Sequence, residues 1–316
     1  MKTRTTIILA VVILIAGVLG GLVATNWAAD RPLATLTARW APPPSIFVPL
    51  LGMQVHLRDQ GPRDDPSPIL LIHGTSASLH TWEGWVKALA DTHRVVTFDL
   101  PAFGLTGPSP DGDYTIAAYV RFVGAMLDKL GIRHCVLGGN SLGGNIAWEA
   151  AHAMPGRVDK LILVDAGGYP PSSNSIPLGF KIARMPVVNR LMEFVTPSSL
   201  IAASLRNVYG DPSKVTPDLV DRYFEMTLRT GNRRALGQRF AQTDFGADAA
   251  SIAELKLPTL ILWGGKDRLI SPSDAERFHH DIAGSKLVVF PELGHVPQEE
   301  DPVRTAAAVS AFLAAP

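Results

Sequence analysis

The sequence predicts an α/β domain on a mostly parallel sheet, with a helical insertion late in the chain and an apolar helix at its start. Three observations carry this. Short, nearly continuous apolar runs recur from residue 69 onward and alternate with helix-like stretches, the pattern of strands covered on both faces by helices. The interval 169–249 holds no convincing strand, although connections in such sheets usually take roughly two to six residues. Residues 7–24, "IILAVVILIAGVLGGLVA", carry no charge.

Lys2 and Arg4 precede that apolar run. As a helix it would reach about 27 Å, close to the ~30 Å core of a bilayer. It is longer than the roughly 7–15 apolar residues of a cleaved signal peptide, and no clean Ala-x-Ala site follows. Residues 1–30 are therefore assigned to a signal anchor, with a cleaved signal peptide as the alternative. Either way the positive end stays inside, so the globular part is expected to be exported. It would lie at the outer face of the cytoplasmic membrane if anchored, with the membrane as a partner, or be periplasmic or secreted if cleaved. Residues 31–45, ending in Pro42-Pro43-Pro44, read as a stiff linker.

Phe47-Val48 and Gln54-Val55-His56-Leu57, separated by Leu51-Gly52, predict an opening hairpin. Buried-strand runs follow at 69–72, 95–98, 136–137, 161–164, 260–263 and 287–290. Between them, 116–130 and 146–154 place apolar residues three and four apart, as helices do. Residues 46–168 and 250–316 thus form the core. Residues 169–249, with a helix over 219–228, form a helical cap over the sheet's C-terminal edge, where α/β sheets bind ligands.

Composition narrows the function. With 316 residues and 47% hydrophobic content the chain can bury one large core. Lys+Arg and Asp+Glu balance at 29 each, leaving no excess positive charge for a phosphate backbone, so no nucleic-acid partner is expected. Cys135 has no second cysteine to pair with and falls in an apolar run, so it reads as a small core residue.

The chemistry concentrates around "GGNSLGG" at 138–144. Gly139-x-Ser141-x-Gly143 sits between a strand and a helix, where a sharp turn exposes the serine hydroxyl and small neighbours avoid the helix. Ser141 is the candidate nucleophile. His295, after Gly294 in "FPELGHVPQEEDP", follows the last strand and is the candidate base. Asp267, in "ILWGGKDRLISP" after the penultimate strand, is the candidate carboxylate that orients it, with Asp165 in "LILVDAGG" as the rival. The order Ser141, Asp267, His295 is the one expected of this triad. Asp99 reads as structural, and His73 as a loop-packing residue. An oxyanion needs donors: the backbone N–H of Leu142, and a second from "IHGTSASLHTW", assigned to Thr75 with Ser76 as the fallback.

Together "IHGTSASLHTW", "FDLPAFGLTG", "GGNSLGGNIAWEAA", "WGGKDRLISP" and "LGHVPQEEDP" resemble the α/β-hydrolase superfamily in order and spacing, from Phe47 to Leu313. The resemblance implies an eight-stranded, mostly parallel sheet with a helical cap after the sixth strand. It also implies no metal or organic cofactor, and it supports Asp267 as the acid. Haloalkane dehalogenases and epoxide hydrolases of similar architecture carry aspartate at the turn where this chain has Ser141. "GNSLGG" looks most like the branch holding carbon–carbon hydrolases of aromatic meta-cleavage pathways and related esterases. Two departures turn the expectation toward esters: "TSAS" replaces a glycine-proline-glycine loop, and Val296 stands where tryptophan often follows the histidine. The expected activity is therefore serine hydrolysis of a small hydrophobic carboxylic ester through an acyl-enzyme. A carbon–carbon hydrolase and a non-catalytic ligand-binding relative are the alternatives.

Overall fold

A computed structural model describes residues 17, 20, 21, 23–171, 180, 181, 185, 190 and 193–315. Most of the membrane or signal helix expected over 7–24 lies outside these residues. Among the described residues no helix is long and apolar enough to cross a membrane.

The segment expected as a linker is more than a connection. Leu33, Leu36 and Trp40 fall on one helical stripe, and residues Leu33–Trp40 form helix α1. Leu36 is buried against Leu105 and Met226, while Arg39 and the Trp40 indole both bond Glu225. The prolines that suggest a stiff spacer come only after this helix, at 42–44.

Strands β1 (Ile46–Leu50) and β2 (Met53–Gln60) form the predicted antiparallel hairpin, turning at Leu51 and Gly52, both at positive φ. β2 then runs antiparallel to β4 (Val95–Phe98). The remaining neighbours are parallel: β3 (Ile69–Ile72), β5 (Cys135–Asn140), β6 (Val158–Val164), β7 (Thr259–Gly264) and β8 (Lys286–Phe290). The result is an eight-stranded mixed sheet in the order β1-β2-β4-β3-β5-β6-β7-β8.

Every residue of β3, β4, β5 and β7 is buried, which explains their nearly continuous apolar runs. Alternate side chains serve opposite faces. Leu70 and Ile72 join one cluster with Phe122 and Met126 of α3 (Ile116–Lys129) and Trp148 of α4 (Leu142–Ala153). Ile69 and Leu71 join the other, with Trp85 of α2 (Glu83–Leu89) and Phe312 from the C-terminal helix at Pro302–Leu313. Cys135 is fully buried in the first cluster, and burial pushes its thiol up to about 12.

Between β6 and β7 the described residues hold no strand; the α-helices whose full span is described are α5 (Ser198–Val208), α6 (Pro217–Leu228) and α7 (Asn232–Ala241). α6 begins two residues before the periodic run. The Thr216 hydroxyl caps it by accepting from the Leu219 N–H, and Pro217 takes the first position, where a missing N–H costs nothing. Beyond β7 come α8 (Pro272–Asp281), the short α9 (Pro297–Glu300) and the C-terminal α10 (Pro302–Leu313).

Candidate active site

Ser141 sits between the end of β5 and the first turn of α4, at φ 55° and ψ −116°. That conformation costs a non-glycine residue about 1–3 kcal/mol, so the surrounding structure must enforce it. The Ser141 N–H donates to the Val164 carbonyl at 3.0 Å, and the Ser141 carbonyl accepts from Asn145 and Gly167, each at 3.0 Å. The flanking glycines follow from crowding. A Cβ on Gly139 would meet the Gly143 carbonyl oxygen at 2.1 Å, and one on Gly143 would meet the Ile72 carbonyl oxygen at 2.0 Å. Only residues without a side chain let α4 leave this close to β3 and β5.

His295 is buried on the loop after β8, with Nδ1 2.7 Å from Asp267 Oδ2. Asp267 is also buried, and its Oδ1 accepts from the N–H groups of Leu269 (2.7 Å) and Ile270 (3.1 Å). The carboxylate is thereby fixed at both oxygens. With Nδ1 committed to Asp267, proton exchange with a ligand falls to Nε2. The imidazole loop is tethered to the turn: Asn140, directly before Ser141, donates from Nδ2 to the His295 carbonyl at 2.9 Å and to Val164 at 3.1 Å. Among the described residues Ser141 Oγ has no hydrogen-bond partner.

Ser141, Leu142 and Thr75 line one cleft, together with Phe180, Phe240 and Ile270. It encloses about 1020 Å³ between its walls, the open mouth included. Leu142 is the first residue of α4, so its N–H has no acceptor within the helix. The Thr75 loop passes close by, since a Cβ on Gly74 would lie 3.1 Å from Ser141 Cβ. Ser76, the fallback donor, lines a separate, smaller cavity. Asp274 also borders the cleft, and burial raises its carboxyl above the usual range.

The other singled-out groups have different surroundings. His73 is buried with Nε2 accepting from the Leu100 N–H at 2.9 Å, which leaves Nδ1–H to donate to the Gly74 carbonyl at 2.8 Å. Burial lowers its pKa, so it is a neutral strut. Asp99 accepts from His56 Nδ1 (2.7 Å) and from the N–H groups of Leu79 and Leu105 (2.7 Å each). Burial pushes the Asp99 carboxyl up, but the attraction and hydrogen bond of His56 outweigh it and hold it well below the carboxylate range. His56 Nε2 continues to Ser45 Oγ at 2.9 Å, forming a second serine–histidine–aspartate grouping that the sequence does not signal. Asp165, the rival acid, is fully buried at the end of β6 and accepts from the Gly264 N–H at 3.0 Å, with no bond to His295.

Asp165, Asp267 and His295 bring one ligand atom each within 4.8 Å of one another, the grouping among the described residues nearest to a metal set. Its geometry is that of a hydrogen-bonded relay, because both Asp267 oxygens and His295 Nδ1 already have protein partners. Two supporting residues escaped the sequence reading. Asn140 is one. The other is Glu300, buried on α9, which accepts from the N–H of Gly294 (2.8 Å) beside the histidine and from those of Gly210 (2.9 Å) and Asp211 (2.8 Å) in the insertion. The acid-rich "QEEDP" after His295 is the one sequence signal for it.

Residues 67–302 match the family model described as alpha/beta hydrolase fold. The 2-hydroxymuconate semialdehyde hydrolase of Pseudomonas sp. (strain CF600) is 28% identical over 83% of this chain and 91% of its own length. Among solved structures, a membrane phospholipase A described as a bacterial virulence factor superposes at TM-score 0.71 with 25% identity, covering 99% of this chain and 98% of that one. A thermophilic esterase from Thermogutta terrifontis superposes at TM-score 0.68 with 25% identity, covering 85% of this chain and 97% of that one.

Proposed function

The chain belongs to the α/β-hydrolase fold family, and from that premise we propose that it is a serine hydrolase of carboxylic esters working through an acyl-enzyme. The observation that carries this reading is Ser141, held at positive φ on the wall of an apolar cleft. Its Oγ attacks the ester carbonyl carbon while His295 Nε2 takes the hydroxyl proton. The oxyanion is met by the backbone N–H groups of Leu142 and Thr75. Asp267 holds the imidazole's orientation and stabilises the imidazolium. Collapse breaks the carbonyl–oxygen bond, and His295 returns the proton to the departing alcohol. Water, deprotonated by His295, then attacks the acyl-serine and releases the acid. These steps use no metal, cofactor or nucleic acid.

The substrate class is a hydrophobic ester, and the acyl ester of a membrane lipid fits best. Residues 7–24 have the length and polarity of a bilayer span, which would anchor the chain at the outer face of the cytoplasmic membrane. Trp27, just beyond that run, is 58% exposed and stacks at 5.5 Å on Phe194 of the insertion, itself 49% exposed. Aromatic side chains of this kind sit at membrane interfaces. The likeness to a membrane phospholipase A, which extends over nearly the whole chain, supports the same reading. Carbon–carbon bond hydrolysis is the second reading, favoured by the likeness to 2-hydroxymuconate semialdehyde hydrolase.

The test uses the full chain in detergent beside Ser141→Ala, with p-nitrophenyl esters from acetate to dodecanoate and with phosphatidylcholine vesicles. Ester and lipid turnover, both abolished in the variant, is the expected result. Turnover of a 2-hydroxymuconate-semialdehyde-type substrate with none on any ester would replace the first reading with the second.

A further inference from the structure

We propose that Asp165 is retained as a neutral carboxylic acid that donates a hydrogen bond to Asp267, and so governs how strongly Asp267 draws on His295. This rests on the serine-hydrolase reading above and adds a positioning residue behind the histidine–aspartate pair.

The geometry makes an ionised Asp165 hard to accommodate. It is fully buried, at φ 44°, where β6 ends beside β7, and its own N–H donates to the Leu262 carbonyl at 3.0 Å. Oδ1 accepts from the Gly264 N–H at 3.0 Å. Oδ2 is buried without a hydrogen-bond partner among the described residues. The carboxyl lies within 4.8 Å of both Asp267 and His295. A carboxylate there would put two like charges side by side in a buried site, with one oxygen lacking a protein hydrogen-bond partner.

Its other neighbours make matters worse for an anion. Asp267 faces it from the loop after β7 and Glu300 from α9, and both are acidic. His295 also lies close by, on the loop after β8, but its Nδ1 already serves Asp267. Burial first, and then the charge of Asp267, drives the Asp165 carboxyl well above its ordinary range. A proton kept on Oδ2 removes the repulsion and turns an orphaned acceptor into a donor. The carboxylate within reach of that donor is that of Asp267, whose oxygen lies within 4.8 Å. The proton stays on Asp165 throughout the reaction, so no step transfers it.

A hydrogen bond given to Asp267 spreads its charge and weakens its hold on the imidazolium. The acid limb of the kcat/KM–pH profile, set by protonation of His295, then has a signed response. Asp165→Val removes the donor and should move the limb up by about 0.5–1 pH unit, the scale of one charge-assisted hydrogen bond. Asp165→Asn keeps an N–H donor and should leave the limb in place while lowering kcat/KM less than Asp165→Val does. An anionic Asp165 would instead make both variants move the limb down, and that result overturns the proposal.

A second arm reads the proton without turnover. Infrared difference spectra of the full chain at neutral pH should show a protonated-carboxyl carbonyl band that disappears in Asp165→Asn and persists in Ser141→Ala. Absence of that loss overturns the proposal even if Asp165→Val fails to fold. If no ester is turned over, the esterase reading fails while the infrared result still decides the protonation of Asp165.

Discussion

Two serine–histidine–aspartate groupings lie at opposite ends of the chain's chemistry. At one, His295 Nδ1 is 2.7 Å from Asp267, and Ser141, whose Oγ has no hydrogen-bond partner among the described residues, lies on the cleft wall. At the other, His56 Nδ1 is 2.7 Å from Asp99 and Nε2 is 2.9 Å from Ser45 Oγ, a more completely bonded chain than the first. Yet Ser45 Oγ also accepts from Arg58 Nε at 2.9 Å and sits in a segment with ordinary negative φ. It lines none of the described cavities that hold Ser141 or Thr75. The Asp99 carboxylate spends its oxygens on two loop N–H groups as well as on His56. Hydrogen-bond geometry alone therefore does not mark a catalytic serine. A strained turn, a free helix-start N–H and an apolar cleft separate the two.

Mutations can break or sharpen this contrast. The largest effect expected is for Ser141→Ala, a loss of about 10³–10⁶ in kcat on esters, against no change for Ser45→Ala. Loss of turnover in Ser45→Ala would break the comparison. Asp267→Asn should cost about 10⁴ in kcat with little change in urea midpoint, because its role is to orient the imidazole. Asp99→Ala should do the reverse. It strands His56 and two buried N–H groups, so urea titration should show a loss of about 3–5 kcal/mol.

Acid sharpens the same distinction. The folded Asp99 pKa is depressed, so its stabilisation is complete above the unfolded value near 4 and is lost as pH falls through the folded value. Urea midpoints measured downward from about pH 5 should therefore fall more steeply for the parent than for Asp99→Asn. The smallest effect expected is Ser45→Ala itself, about 1 kcal/mol of stability from one hydrogen-bonded hydroxyl.

Much of the fold was legible because its signals are local. The runs at 69–72 and 95–98 coincide with β3 and β4, since a strand buried on both faces reads as a nearly continuous apolar run. The turn around Ser141 was legible because its glycines fall in a short, fixed pattern, although the clash that requires Gly143 is with Ile72 of β3. Residues 31–45 were harder, because a Pro-rich end masked the stripe that packs α1 against Met226. The Asn140–His295 tether, the grip of Glu300 on Gly210 and Gly294, and the approach of Asp165 to Asp267 join distant parts of the chain. Such contacts leave no periodic or spacing signal, and sheet topology alone brings them together.

The central claim is that Ser141, and not Ser45, is the activated nucleophile. The most direct measurement is labelling of the full chain with a fluorophosphonate, which forms a phosphorus–oxygen bond to an activated serine as fluoride leaves, followed by peptide mapping. The account predicts one label, on Ser141, lost in His295→Ala and retained in His56→Ala. A label on Ser45, or an Ser141 label indifferent to His295, would contradict it.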